Sequence, residues 1–257
     1  METNSIKLLV VEDERSYLRL LETYLAETSV RGRSFEVSGA ETLSRALSLL
    51  ETKRYDVILS DLFLPDSYGL NTFAAIADRA ADTPVVVLTG LENEAMGQVA
   101  LDMGAQDYLL KKEVTGKTLS RAIIYSIERK RIEVSLRASE ERYRALTDSL
   151  DDAIAVIDRE LNIIMANRAF KKASGAALPP DVTGGRLTEA VSSLPGKTPE
   201  ICRRAFSERK IIVSEVTGLW NGRQSVLEIK CVPVAAGGGA EHAVIVARDI
   251  TGRRQLE

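Results

Sequence analysis

Short apolar runs alternate with amphipathic stretches along the first half of the chain. Ile6-Lys7-Leu8-Leu9-Val10-Val11 predicts a buried strand, and Leu18, Leu21 and Leu25 follow it as a helical stripe. Phe35-Glu36-Val37 predicts a second strand, ahead of a helix carrying Leu43, Ala46, Leu47 and Leu50. Tyr55 to Ser60, Pro84 to Leu88 and Gln106 to Leu110 predict three more strands. Continuous apolar strands separated by helix-length segments point to a parallel sheet covered on both faces. Five such units fit a doubly wound α/β domain, whose working residues lie just past the carboxyl ends of the strands.

The pattern then changes. No Gly or Pro occurs between Lys117 and Leu150, which predicts one helix about 50 Å long at 1.5 Å per residue. Ile132, Leu136, Ser139, Tyr143, Leu146 and Leu150 alternate steps of four and three, a heptad seam. Ile123, Ile127 and Val134 follow another register, so the seam shifts near Arg129-Lys130-Arg131. Such a helix is either a solvated connector or a parallel dimeric coil, and its apolar stripe, which needs a packing partner, favours the coil.

From Asp151 the spacing shortens again. Ala153 to Ile157 and Leu161 to Ala166 flank Asp158-Arg159-Glu160 as a hairpin, and Asn167 to Ala173 predicts a short helix. A Gly/Pro-punctuated stretch runs from Gly175 to Pro199, then a helix around Glu200 to Glu208. Ile211 to Thr217, Ser225 to Val234 and His242 to Ile250 predict three strands, with Gly237 to Gly239 as a hairpin tip. Leu227, Ile229 and Cys231 alternate with more polar neighbours, as in a sheet with one wet face. The expectation is an α+β domain with an antiparallel sheet. The boundaries read as 1–118 for the first domain, 119–150 for the linker and 151–257 for the second.

Composition adds exclusions. The 257 residues suffice for two domains, and a formal charge of -3 gives no reason to expect nucleic-acid or anionic-membrane binding. No apolar run approaches the roughly 18 residues of a membrane span, and Met1 to Ser5 lacks a secretory signal's pattern. A cytoplasmic location is the expectation. Cys202 and Cys231 are far apart in sequence and read as small core residues.

The candidate chemistry lies at strand ends. Glu12 and Asp13 follow the first strand and Asp61 the third, ends that are neighbours in a doubly wound sheet. Clustered carboxylates repel, and a hard cation such as Mg2+ relieves that repulsion through oxygen ligands. Thr89 after the fourth strand offers a hydroxyl and Lys111 after the fifth a compact positive charge. Together they suit the equatorial oxygens of a transferring phosphoryl group. Singly, an Asp there is often a helix cap and a Lys merely solvated; four such groups on fitting strands exceed what capping explains.

Val10-Val11-Glu12-Asp13-Glu14, Leu59 to Asp66, Leu88-Thr89-Gly90 and Gly104 to Lys111 resemble the flavodoxin-like receiver domains of two-component response regulators. The resemblance covers roughly the first 120 residues. It implies that Asp61 accepts a phosphoryl group from a phosphohistidine on a sensor histidine kinase or phosphotransfer protein. It implies a Mg2+ site of Glu12, Asp13, Asp61 and the Phe63 backbone carbonyl. It further implies that Thr89 and Tyr108 switch in concert and that Lys111 pairs with phosphoryl oxygens. One departure stands out: Lys112 occupies the place of the family's usual proline, often cis, and a trans peptide is expected here.

Asp152 to Asp158 with Ile163 to Phe170, and the closing Val244 to Thr251, resemble a PAS domain. PAS domains bind small ligands or mediate dimer contacts. His242, the sole histidine, reads as an exposed or edge-strand residue, and Ile201-Cys202-Arg203-Arg204 lacks the flavin photosensor pattern. Neither haem nor covalent flavin is expected, and no PAS ligand is named by the sequence. The reading is therefore a phosphoacceptor regulator, not an enzyme beyond its own phosphorylation and slow dephosphorylation, dimeric through the linker and PAS domain. A Mg2+-dependent phosphatase using Asp61, and a docking protein that is never phosphorylated, are the alternatives.

Overall fold

The structure, a computed structural model, describes residues 5–28, 34–90, 94–174, 185–187, 197–220, 222–235 and 241–254. It divides into two compact units, Met1–Ala138 and Ser139–Glu257.

The first unit begins β1 (Ser5–Val11), α1 (Arg15–Glu27), β2 (Ser34–Ala40), α2 (Leu43–Thr52) and β3 (Val57–Asp61). It continues through the two-residue strands β4 (Phe63–Leu64) and β5 (Ser67–Tyr68) to α3 (Leu70–Ala80) and β6 (Val85–Thr89). Next come α4 (Glu94–Asp102), β7 (Asp107–Leu110), a 3-10 turn (Lys111–Glu113) and α5 (Gly116–Asp148). The main sheet is parallel with order β2-β1-β3-β6-β7. Successive residues of β1 feed opposite cores: Leu9 and Val11 join Phe73 and Ile76 on one face. Leu8 and Val10 join Leu21, Leu119 and Ile123 on the other. Burial on both faces is why this strand reads as an unbroken apolar run. The strand order reverses between β1 and β3, the switch point at whose carboxyl ends such sheets bind their ligands.

Several boundaries differ from the sequence reading. Asp61 and Thr89 are the last residues of β3 and β6, not the residues beyond them, and Tyr55, Pro84 and Gln106 lie outside strands. The antiparallel pair β4–β5, with the Phe63 and Tyr68 rings edge-on at 4.6 Å, was not foreseen. Gly69 follows with φ of 63°, a turn conformation that opens α3 without a Cβ penalty.

Helix α5 spans Gly116–Asp148 without a break. Leu119, Ala122, Ile123 and Ser126 near its start are buried. Ile132, Leu136, Tyr143, Leu146 and Leu150 of the seam are all exposed, Ile132 and Tyr143 by 69%.

The second unit contains β8 (Ala153–Ile157), β9 (Ile163–Ala166), α6 (Arg168–Ala173), α7 (Thr198–Glu208), β10 (Ile212–Trp220), β11 (Arg223–Ala235), β12 (Glu241–Asp249) and α8 (Thr251–Arg254). Its sheet is antiparallel, ordered β10-β11-β12-β8-β9. The β8–β9 turn is closed by Asp158, which accepts from the Asn162 N–H at 2.7 Å and its side-chain amide at 2.9 Å. Leu227, Ile229 and Cys231 turn into the core beside Phe170, Ile201 and Cys202, as their alternation predicted. His242 corrects the sequence reading: half-buried on β12, it pairs with Val234 in β11, and β12 is flanked on both sides rather than at an edge. Alternation encodes which face a residue takes but not the strand's place in the sheet. The Gly237–Gly239 tip and most of 175–196 lie outside the described residues.

Candidate functional site

The carboxyl ends of β1 and β3 gather the acidic residues. Glu12 is fully buried, Asp61 is 5% exposed and Asp13 is exposed. One ligand oxygen from each of the three lies within 4.8 Å of the others, the only such cluster among the described residues. Glu12 is fixed by its N–H donating to the Ala40 carbonyl at 2.9 Å. Asp61 Oδ1 accepts from the Phe63 N–H at 3.1 Å, which directs that peptide's end of the β4–β5 turn towards the carboxylate.

Lys111 reaches in from the end of β7. Its ammonium lies 2.6 Å from Asp61 Oδ2 and 2.7 Å from Glu12 Oε2, with a hydrogen bond to Glu12 Oε1 at 2.9 Å. Both Glu12 oxygens thus face the one ammonium, and the buried Oε2 has no further donor among the described residues. Burial pushes the Glu12 carboxyl above its ordinary range, and the Lys111 ammonium only partly offsets this. For Lys111 burial works against the charge, yet the hydrogen bonds to Asp61 and Glu12 prevail and hold its pKa above the ordinary value. Three carboxylates that share one ammonium between two of them, in an oxygen-only cluster with one solvent-facing member, fit a hard cation such as Mg2+.

Thr89 is fully buried, with its hydroxyl donating to the Gly90 carbonyl at 2.9 Å. Tyr108 is half-buried on β7, paired with Val87. The two meet at Gly97 of α4, where a Cβ would lie 2.7 Å from Tyr108 Cδ2 and 3.3 Å from Thr89 Cγ2. The structure thus brings Glu12, Asp13, Asp61 and Lys111 together, with Thr89 and Tyr108 in a second group joined by Gly97. The Lys111–Lys112 peptide is trans.

Sequence reasoning passed over three residues here. A glycine inside a helical pattern, such as Gly97, is a packing signal that could have been read. Asp66 caps α2 from the far side of the β4–β5 turn, accepting from Leu43 N, Ser44 N and Ser44 Oγ at 2.7–2.9 Å. Tyr17 on α1 touches Lys111 across a large sequence separation, which no local pattern announces. In the second unit, Cys202 and Cys231 are both buried in the core, and the neighbouring Cys231 together with burial pushes the Cys202 thiol far up.

Residues 8–123 match the family model of the response regulator receiver domain, and residues 147–255 match that of the PAS fold. The chain is a receiver domain followed by a PAS domain. Over 113 residues the receiver is 38% identical to the KDP operon transcriptional regulatory protein KdpE of Escherichia coli, covering 44% of this chain and 48% of that one. It is 33% identical over 110 residues to the transcriptional regulatory protein ResD of Bacillus subtilis, covering 43% of each. The chain therefore spans less than half the length of these two relatives. A solved receiver domain protein from Clostridium thermocellum is 29% identical, with a TM-score of 0.44 over 49% of this chain and 98% of that one. The relatives support two-component signalling, in which receivers work with histidine kinases or phosphotransfer proteins and are regulatory rather than classical enzymes. Among the described residues, no helix is long and apolar enough to cross a membrane.

Proposed function

We propose that Asp61 is the acceptor of a phosphoryl group delivered by a partner's phosphohistidine. The observation that carries this reading is the cluster in which Lys111 Nζ bridges Asp61 and Glu12 beside the exposed carboxylate of Asp13. In the transfer, an Asp61 oxygen bonds to phosphorus as the P–N bond breaks, and the departing imidazole takes the electron pair. Glu12, Asp13, Asp61 and the Phe63 carbonyl would hold Mg2+, which when bound neutralises charge on the phosphoryl oxygens. Lys111, half-buried beside Asp61, would supply a second positive charge to the phosphoryl oxygens. The Thr89 hydroxyl exchanges Gly90 for a phosphoryl oxygen, and Tyr108, which shares Gly97 with it, responds.

The reading extends to the output. Helix α5 carries residues of the receiver core at its start and the exposed seam from Ile132 to Leu146 further along, with Leu150 just past its end. That apolar row suits a second copy of the chain in a parallel coil, and a homodimer through α5 and the PAS domain would relay the switch. A cytoplasmic regulator that acts without touching nucleic acid itself completes the proposal.

The test is intact-protein mass after incubation with acetyl phosphate and Mg2+. Wild type is expected to gain one phosphoryl group and Asp61→Asn none. Equal gain in both would remove Asp61 from the role.

A further inference from the structure

We infer that Tyr17 is a positioning residue for Lys111, holding that lysine at both its main chain and its ammonium; the inference rests on the phosphoacceptor reading above. Tyr17 lies on α1, half-buried, one turn beyond Asp13. Its hydroxyl donates to the Lys111 carbonyl at 3.3 Å, and the Lys111 ammonium sits over its ring, 4.9 Å from the centroid. Either contact alone is modest, since 3.3 Å is long for an O–H donor. Made by one rigid side chain to the two ends of one flexible residue, they restrict where the ammonium can go.

The need for such a grip follows from the charges. Lys111 Nζ lies 2.6 Å from Asp61 Oδ2, so it leans on an oxygen of the nucleophile itself. A phosphoryl group arriving at Asp61 would change the charge around the ammonium, and its four-carbon stem offers many places to go. The ring face is the contact that depends on neither carboxylate, so it survives that change. Burial and the nearby carboxylates of Glu12 and Asp61 push the phenol up, which keeps the hydroxyl a donor at every working pH. The carbonyl it holds belongs to the Lys111–Lys112 peptide, where the resemblance leads one to expect a stiffening proline. Tyr17 supplies from α1 a restraint that the local chain lacks.

A double-mutant cycle on the full chain separates positioning from general packing. With acetyl phosphate and Mg2+, Tyr17→Leu should slow phosphorylation about tenfold, the size of a partly desolvated cation–π contact. Tyr17→Phe, which keeps the ring, should lose only about threefold. In a Lys111→Ala background Tyr17→Leu should have no further effect, whereas the full loss on that background would overturn the inference. A second readout needs no phosphorylation: acetic anhydride labelling of Lys111, followed by peptide mass, should be about threefold faster in Tyr17→Leu than in wild type. Unchanged labelling would also sink the inference. Failure of wild type to take up phosphate, with faster labelling in Tyr17→Leu, would instead remove the phosphoacceptor reading and leave the grip of Tyr17 on Lys111 standing.

Discussion

Each half of the chain buries a polar side chain at a junction of several elements, and the two are treated in opposite ways. In the PAS domain, Asn167 is 1% exposed and uses its whole bonding capacity. Its Oδ1 accepts from Ile154 N and Phe170 N, both at 2.9 Å, and its Nδ2 donates to the carbonyls of Thr147 and Asp152 at 2.8 and 2.9 Å. In the receiver, Glu12 is equally buried, yet both its oxygens lean on one ammonium that it shares with Asp61. A satisfied buried group ties elements together. One whose charge is only partly compensated costs stability, and sites that bind something else are where such groups gather. The difference marks Asn167 as a structural joint and is what the proposed role of Glu12 as a metal ligand would produce.

The joint should break hardest. Asn167→Ala removes the cap of α6 and strands partners from α5, β8 and the Asp152 turn, so the PAS domain should lose about 2–4 kcal/mol. Trp220, the chain's single tryptophan, lies in β10, so denaturant unfolding followed by its fluorescence reports on this half. Asn167→Asp should cost a similar amount, because a carboxylate would then face the Thr147 and Asp152 carbonyls. Wild-type stability in either variant would mean that water replaces these bonds and that Asn167 is no joint.

The site should respond the other way. Glu12→Gln leaves Lys111 its contact with Asp61 and keeps an acceptor oxygen, so without metal the receiver should stay within about 1 kcal/mol of wild type. Mg2+ affinity, read by titration calorimetry, should fall about tenfold or more. A large metal-free loss with Mg2+ binding intact would make Glu12 a second joint and erase the contrast.

How far the sequence announces these roles depends on where each residue's partners lie. Glu12, Asp13 and Asp61 end apolar runs that are buried on both faces, so the strands and the acids at their ends are legible together. Asn167 is visible as a helix cap before Phe170, but its bonds to Thr147 and Ile154 are set by tertiary folding. Strands β4 and β5 have two residues each, below the length at which any periodicity can be read. Tyr17 is harder still: its partner lies 94 residues away, and nothing about a tyrosine on an amphipathic helix distinguishes a core position from a hold on Lys111. The long α5 was legible because the absence of Gly and Pro over so many residues leaves few alternatives.

The smallest expected effect concerns a third carboxylate, one that repeats the contrast inside the receiver. Hydrogen bonds from the Ser44 N–H and hydroxyl and the Leu43 N–H hold the Asp66 carboxyl below its ordinary value, whereas burial raises Glu12. The two therefore act on stability with opposite signs. A depressed carboxylate contributes above its unfolded value of 3.8 and loses that contribution as pH falls through the folded value. A raised one contributes below 4.5 and loses it as pH climbs through its folded value. Asp66→Asn should thus destabilise the receiver slightly at neutral pH, by less than about 1 kcal/mol because the group is solvent-screened. The gap to wild type should close on acidification below 3.8, measured as denaturant midpoints across pH by hydrogen exchange in α2. A gap that stays constant with pH would mean that Asp66 anchors α2 by shape alone. The charge at the α2 N-terminus would then do nothing to steady the turn that carries Phe63.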